Sequence, residues 1–264
     1  MDNCIVRMEN ISKSFGGIKA LNNVHIELRA GEVHALMGEN GAGKSTLMKI
    51  LMGIYQRDAG KIWIADSKGE PQDVTIKTSL QAQQLGISMV FQEFNLLENM
   101  NIAENIFLGR EPINSRHCID KNKMQRDAVQ ELKKVGLDIN PKTIIRGLSC
   151  GTKQLIEIAK CLSFGAKVII FDEPTSSLTG YEAEALFKII KQLKENGISI
   201  VYISHKMEEV FELADRITIF RDGRYIDTVD RETFDQHKII SMMIGRELEE
   251  SIRSEEHRVG KECR

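Results

Sequence analysis

Hydrophobic and polar positions along the chain follow two periods. Continuous apolar runs bounded by glycine or polar residues predict buried β-strands at 33–37, 168–171 and 198–203. Between 181 and 195, apolar residues recur every three or four positions, which predicts an amphipathic helix that ends at Gly197. Because strands and helices alternate, we expect an α/β fold with a parallel sheet covered on both faces.

The pattern also divides the chain into regions. Residues up to about 65 contain predicted short strands, whereas about 94–165 are richer in polar, helix-forming residues and predict a helical insertion. We therefore expect one domain over 1–250 with a helical subdomain at about 94–165. The segment 251–264 is polar and has no periodicity, and residues 253–264 resemble a translated sequencing-adapter fragment. We expect 251–264 to be a non-native tail or a disordered terminus, and leave it out of the fold prediction.

Composition narrows the possible classes of protein. The chain has 264 residues, of which 42% are hydrophobic, enough for one large domain or two small ones. A formal net charge of -2 gives no basic footprint for nucleic acid or anionic lipid. No apolar run approaches the roughly 20 residues of a membrane-spanning helix. The five cysteines are scattered and form no C-x-x-C pair, which favours reduced thiols over a disulfide framework or a zinc site.

The segment 38–46, G-E-N-G-A-G-K-S-T, fits the pattern G-x-x-x-x-G-K-[ST] at every fixed position. Glycines allow successive backbone N–H groups to point at phosphate oxygens, and a helix that begins near Lys44 adds the positive end of its dipole. Lys44 can reach the β- and γ-phosphates, and the Ser45 hydroxyl can bind Mg²⁺. The preceding strand and the following helical spacing favour this interpretation over a glycine-rich helix cap. The loop residues expected at the nucleotide are Gly38, Asn40, Gly41, Gly43, Lys44, Ser45 and Thr46.

A second motif, 168–173, ends an apolar strand with two adjacent carboxylates. Asp172 can hold Mg²⁺ through its water shell, and Glu173 can orient an attacking water. The alternative is a solvated acidic turn before Pro174. Its pairing with a phosphate loop favours the catalytic interpretation.

A third motif, 148–154, precedes a helical pattern. Ser149 fits a helix N-cap, and Gly151 permits close approach of another group to the backbone. A helix N-terminus with a free hydroxyl can bind phosphate, although taken alone this segment is equally an ordinary helix start.

In their order along the chain, these segments resemble the nucleotide-binding domain of an ABC transporter. The segment 38–46 matches its Walker A loop, 148–154 its signature motif and 168–173 its Walker B motif, while 177–179 resembles its D-loop. The resemblance implies a P-loop NTPase fold: a mostly parallel central sheet, an N-terminal antiparallel β subdomain and an inserted α-helical subdomain. Cys150 and Thr152 depart from the common L-S-G-G-Q signature but leave Ser149 and Gly151 in place.

The resemblance also implies roles for single residues. Gln92 falls at the Q-loop position, which senses the γ-phosphate and Mg²⁺, and His205 at the switch-histidine position, which binds the γ-phosphate. Phe15 falls where an aromatic ring stacks on adenine. Ser149 and Gly151 would close over ATP bound to a second domain. The alternatives are a surface glutamine, a helix-capping histidine and a core phenylalanine.

Three further segments, 54–56, 202–209 and 220–223, resemble ATPases of monosaccharide importers of the ribose and galactose/methylgalactoside kind. Those proteins are typically two fused cassettes, and this chain resembles the first half of one. The resemblance implies ATP hydrolysis with Mg²⁺, coupled to sugar uptake at the cytoplasmic face of the cell membrane. The implied partners are permease subunits, a second nucleotide-binding domain and, indirectly, a periplasmic-type sugar-binding protein, with no nucleic acid.

Two other functions stay open at this point. A non-transport ABC-type ATPase of translation or DNA repair would call for a coiled-coil insertion, a basic surface or zinc cysteines, and none of these is visible in the sequence. A regulatory module without catalysis would not need both Glu173 and His205. The sequence does not say which sugar is carried.

Overall fold

The computed structural model describes residues 3–66 and 69–245, so the predicted tail at 251–264 lies outside the described residues. The strands are β1 (Cys4–Phe15), β2 (Ile18–Arg29), β3 (Val33–Met37), β4 (Ala59–Ala65), β5 (Pro71–Asp73), β6 (Ile87–Val90), β7 (Val168–Asp172), β8 (Ser199–Ile203), β9 (Arg216–Arg221) and β10 (Arg224–Asp230). The helices are α1 (Lys44–Leu51), α2 (Ser79–Gln84), α3 (Ile102–Phe107), α4 (Lys121–Lys134), α5 (Cys150–Ser163), α6 (Gly180–Glu195), α7 (Met207–Leu213) and α8 (Gln236–Ile244).

The strands form two sheets. The N-terminal sheet is antiparallel, in the order β2-β1-β4-β5. The larger sheet has the order β10-β9-β3-β8-β7-β6 and is parallel except for β10, which pairs antiparallel with β9. This arrangement confirms the predicted fold class of a mostly parallel central sheet with an antiparallel N-terminal sheet.

The central strands are buried on both faces because both of their faces are apolar. Every residue of β3, β7 and β8 is buried. One apolar cluster joins one face of this sheet to helices α3 to α7, and a second joins the opposite face to α1 and the N-terminal sheet. The carboxyl ends of parallel strands share one edge of a sheet, so the loops that follow β3, β6, β7 and β8 are brought to the same edge.

The first two strands are longer than the short strands predicted from the sequence. Each has 12 residues, and their pairing is interrupted by register shifts. Asn10, with φ at 53°, lies inside one of these irregularities, between Met8 and Ile11. Such bulges interrupt the alternation of apolar and polar residues, so one long strand is predicted as shorter strands.

Helices α3, α4 and α5 lie within the segment predicted to be a helical insertion, and they pack on one another through Ile106, Ala128, Leu132 and Ile158. The proposed limits of that subdomain stay a prediction. Across the described residues, none of the helices combines the length and the apolar character needed to cross a bilayer.

Candidate functional site

The loop between β3 and α1 forms the floor of an open cleft of about 320 Å³. The Lys44 side chain is buried and folds back into the loop, where Nζ donates to the carbonyl oxygens of Gly38 at 2.8 Å and Glu39 at 3.0 Å. Burial lowers the pKa of Lys44, while the nearby carboxylates of Glu173 and Asp172 act to raise it. An ammonium has three donors, so a third N–H can reach a phosphate oxygen without breaking either bond.

Two glycines of this loop are needed for different reasons. Gly43 has φ at 99°, and a Cβ there would lie 2.6 Å from Leu21 Cδ2. Gly41 has φ at 85°, yet a Cβ there would meet nothing within 4 Å. Gly43 therefore permits packing against the N-terminal sheet, whereas Gly41 serves the backbone conformation alone.

The first turn of α1 has no side-chain cap, because its N-cap residue is Gly43. In contrast, α4, α5 and α6 have the N-cap residues Asp120, Ser149 and Thr179, whose side chains accept from first-turn N–H groups. The uncapped amides at the start of α1, together with the positive end of the helix dipole, can therefore bind an anion.

Ser45 and Asp172 are in contact although they lie 127 positions apart in the chain. The Ser45 hydroxyl donates to Asp172 Oδ1 at 3.0 Å. Burial raises the pKa of Asp172, against the bond from Ser45, and the charge of Glu173 raises it further. A cation beside these two oxygens would relieve the cost of a buried carboxylate.

Glu173 follows β7 and faces the same cleft. Its backbone has φ at 48°, a strained conformation for a non-glycine residue, and its N–H donates to the Ile203 carbonyl at 3.0 Å. Glu173 Oε1 lies 3.2 Å from Nδ1 of His205, the second residue after β8. The strained turn aims the carboxylate at the histidine and toward the phosphate loop.

Of the other predicted site residues, Gln92 lines the phosphate-loop cleft and Phe15 does not. Gln92, two residues after β6, lines the cleft together with Asn40 and Thr46. Phe15 is not among the lining residues of this cleft. The residue is 42% exposed, and its ring packs edge-on against Tyr55, with ring centroids 5.1 Å apart. The adenine contact of Phe15 stays a prediction.

Ser149 and Gly151 line a separate cleft between α5 and α6. The Ser149 hydroxyl caps α5 by accepting from the Thr152 N–H at 3.2 Å. The Gly151 N–H donates to the Glu182 carboxylate at 3.0 Å. The predicted signature residues are thus next to each other, but they do not line the phosphate-loop cleft.

Comparisons with known proteins agree with this geometry. The family model described as ABC transporter matches residues 21–176, more than half of the chain. This chain belongs to the ABC transporter family. Its structure resembles the nucleotide-free cassette of an ABC transporter, with a TM-score of 0.76 at 27% identity over 92% of this chain and 96% of that one. A second ABC transporter cassette, solved in its ADP conformation, gives a TM-score of 0.78, also at 27% identity, over 92% of this chain and 99% of that one.

The chain is also similar to curated import ATP-binding proteins. A protein of Agrobacterium fabrum named for ribose/galactose/methyl galactoside import is 50% identical over 93% of this chain and 48% of its own length. The xylose import ATP-binding protein of Moorella thermoacetica is 50% identical over 94% of this chain and 48% of its own length. This chain therefore spans about half the length of the curated relatives it matches, and the predicted resemblance to monosaccharide importer ATPases is confirmed.

Two carboxylates of this ABC cassette were not found from its sequence. Glu157 on α5 is 4% exposed, and its Oε1 accepts the N–H of Asn95, three residues beyond Gln92. Glu209 on α7 accepts from Thr175 at 2.7 Å and from Tyr202 at 2.7 Å, and so joins the loop after β7 to strand β8. Burial acts to raise the pKa of Glu209, but these hydrogen bonds outweigh it and the pKa is lowered.

Glu182 was also missed, although part of its role has a sequence signal. Thr179 and Glu182 have the T-x-x-E spacing of a capping box, and the structure shows both of its reciprocal bonds. That spacing predicts the cap of α6. It does not predict the additional contact with Gly151, which lies 31 residues away.

Proposed function

We propose that this chain is the ATP-binding and ATP-hydrolysing cassette of an ABC importer for a monosaccharide such as ribose or galactose. The observation that carries the proposal is the convergence of two side-chain pairs beside the phosphate loop: Ser45 with Asp172, and Glu173 with His205. The names of the relatives support sugar import. These names do not identify a single sugar, since two relatives named for different sugars are both 50% identical to this chain.

The phosphate loop would hold the nucleotide through three kinds of group. The amides of Gly41, Gly43 and the first turn of α1 would donate to phosphate oxygens, and Lys44 would add its charge. Gly38 contributes through its carbonyl, which holds the Lys44 ammonium in place. Phe15 would contact adenine.

Ser45 and Asp172 fit a magnesium ion. Mg²⁺ is usually bound by one or two carboxylates together with substrate phosphates and water, and these two oxygens lie 3.0 Å apart at the end of the phosphate loop. Ser45 and Asp172 would hold the ion, which when bound would supply positive charge that offsets the negative charge of the phosphates. Gln92 lines the same cleft and would contact the coordination shell from the loop after β6.

Glu173 would accept a proton from the attacking water and orient it toward the γ-phosphorus atom. His205, held against Glu173, would donate to the γ-phosphate and keep the carboxylate aimed at the water. The strained backbone of Glu173 supports this role, because strained residues concentrate at functional sites.

A second cassette would complete the site. Ser149 and Gly151 line their own cleft, so within one chain they do not reach the phosphate-loop cleft. The relatives are about twice as long as this chain, which supports a protein with two such cassettes. The signature residues of each would then close over the nucleotide of the other.

A groove beside Gln92 would receive the permease at the membrane. It is lined by apolar residues that include Met52, Phe91 and Phe164, and by the polar side chains of Asn95 and Glu157. Asn95 belongs to the same loop as Gln92, so a movement at the γ-phosphate can be passed to the groove through that loop. Through this contact the cassette would lie at the cytoplasmic face of the membrane.

Phosphate release from MgATP, measured over a wide range of chain concentrations, tests the catalytic part of the proposal. The specific rate should rise with chain concentration, because each site needs two chains, and it should vanish in Lys44→Ala. A rate per chain that does not change with concentration would contradict the shared site.

For transport, the chain would be reconstituted in vesicles with permease candidates, and ATP-driven uptake of labelled ribose, galactose and xylose would be measured. If the chain co-purifies with ribosomes instead of permease subunits, sugar import is contradicted.

A further inference from the structure

The Glu182 carboxylate occupies a position that the cassette would need for an anion. Gly151 N–H donates to Glu182 Oε1 at 3.0 Å, while the N–H and hydroxyl of Thr179 donate to Glu182 Oε2 at 3.0 Å each. One carboxylate therefore lies at the N-termini of both α5 and α6. Hydrogen bonds from Thr179 lower the pKa of Glu182, the larger effect coming from its N–H and the smaller from its hydroxyl. The bond from the Gly151 N–H lowers this pKa further.

This contact is close enough to exclude another ligand from the same amide. A Cβ added at Gly151 would lie 2.7 Å from Glu182 Oε1, so the carboxylate lies directly against this part of α5. A backbone N–H has a single hydrogen to donate. A phosphate oxygen that approached Gly151 would also meet the negative charge of Glu182.

We propose that Glu182 holds the Gly151 amide as an internal substitute for phosphate, and that it must be displaced before the nucleotide of a second cassette can bind there. This inference rests on the proposed function, in which Ser149 and Gly151 close over the nucleotide of a second cassette. Glu182 thereby raises the nucleotide concentration at which two cassettes associate. It acts as a brake on association and takes no part in the chemistry of hydrolysis.

Glutamine at this position separates the brake from the helix cap. A capping box accepts glutamine in place of glutamate, so Glu182→Gln retains the bond to the Thr179 N–H while losing the negative charge. Glu184→Gln is the matched control, since Glu184 is exposed on the same helix and the substitution removes the same charge. Both substitutions are made in a Glu173→Gln chain, so that ATP hydrolysis does not dissociate the two cassettes during the measurement.

Sedimentation velocity over a series of MgATP concentrations measures association. We expect Glu182→Gln to lower the MgATP concentration for half-maximal association by about tenfold, the order expected for a charge-assisted hydrogen bond. Glu184→Gln should leave it unchanged. Thermal unfolding checks that Glu182→Gln is folded, and its midpoint should lie within a few degrees of that of the parent chain.

Equal or weaker association of Glu182→Gln compared with Glu184→Gln would overturn the inference, because the carboxylate would then support the signature geometry. Absence of association in all three chains, despite bound nucleotide, would overturn it as well. Calorimetry with MgATP at low chain concentration keeps the two proposals apart. If MgATP binds to the parent chain but Glu182→Gln leaves association in sedimentation unchanged, the brake alone is defeated, whereas failure of MgATP to bind defeats the proposed function.

Discussion

Glu157 gives the prediction whose size follows most directly from the structure. The carboxylate is buried on α5, where Oε1 accepts the Asn95 N–H and Oε2 has no hydrogen-bond partner among the described residues. Burial raises the pKa of Glu157 from 4.5 to about 7, against the opposing effects of the Asn95 bond and the charge of Lys160. The buried thiol of Cys161, whose pKa burial raises to about 12, stays neutral beside it.

The raised pKa becomes a cost in stability as the carboxyl ionises. The folded state holds this proton more tightly than the unfolded state, so stability falls as the pH rises from about 4.5 through about 7. A shift of about 2.5 pKa units, at 1.36 kcal/mol per unit, corresponds to about 3 kcal/mol. This cost is absent well below the unfolded pKa and fully present above the folded pKa.

Urea unfolding of the wild-type chain and of Glu157→Gln tests this reasoning. The glutamine oxygen can still accept from Asn95, but it carries no charge. The free energy of unfolding of Glu157→Gln should rise relative to wild type by about 2–3 kcal/mol between about pH 5 and about pH 8. Glu184→Gln, an exposed control, should follow the wild-type pH course. A difference between Glu157→Gln and wild type that does not vary with pH would refute the argument from burial.

Three further predictions follow from single contacts. Glu173→Gln should keep MgATP binding in calorimetry while phosphate release falls by about 10²–10⁴-fold, and turnover at the wild-type rate would exclude Glu173 as the group that activates water. Gly43→Ala should lower the free energy of unfolding by about 2–4 kcal/mol, and the uncrowded Gly41→Ala by about 1–2 kcal/mol, in urea titrations; equal losses would show that packing at Gly43 is unimportant. Tyr202→Phe removes a donor at 2.7 Å from the buried Glu209 carboxylate and should cost about 1.5–3 kcal/mol in the same assay, a neutral effect being the contrary result.

The parts of the site that the sequence predicts are those built from contiguous residues. The phosphate loop is a single segment between a buried strand and a helix, so one continuous stretch of sequence is enough to predict its local structure. Asp172 and Glu173 were placed correctly at the end of a strand, because parallel strands that alternate with helices bring their carboxyl ends to one edge of the sheet. Their contacts with Ser45 and His205 follow from that edge.

The contacts that the sequence did not predict join residues far apart in the chain. Glu157 contacts Asn95 across 62 residues, and Glu182 contacts Gly151 across 31. No periodicity records which two helix faces meet, so both glutamates resemble ordinary polar positions in the sequence. The antiparallel edge strand β10 was missed for a related reason, because its half-exposed residues give no buried run.

Calorimetric titration of MgATP into the folded chain tests the central claim most directly. We expect saturable binding by the wild-type chain, retained binding by the exposed control Lys188→Ala, and loss of binding by Lys44→Ala. Folded wild-type chain that gives no binding heat, or Lys44→Ala that binds as tightly as wild type, would contradict the assignment of 38–46 as the phosphate-binding loop.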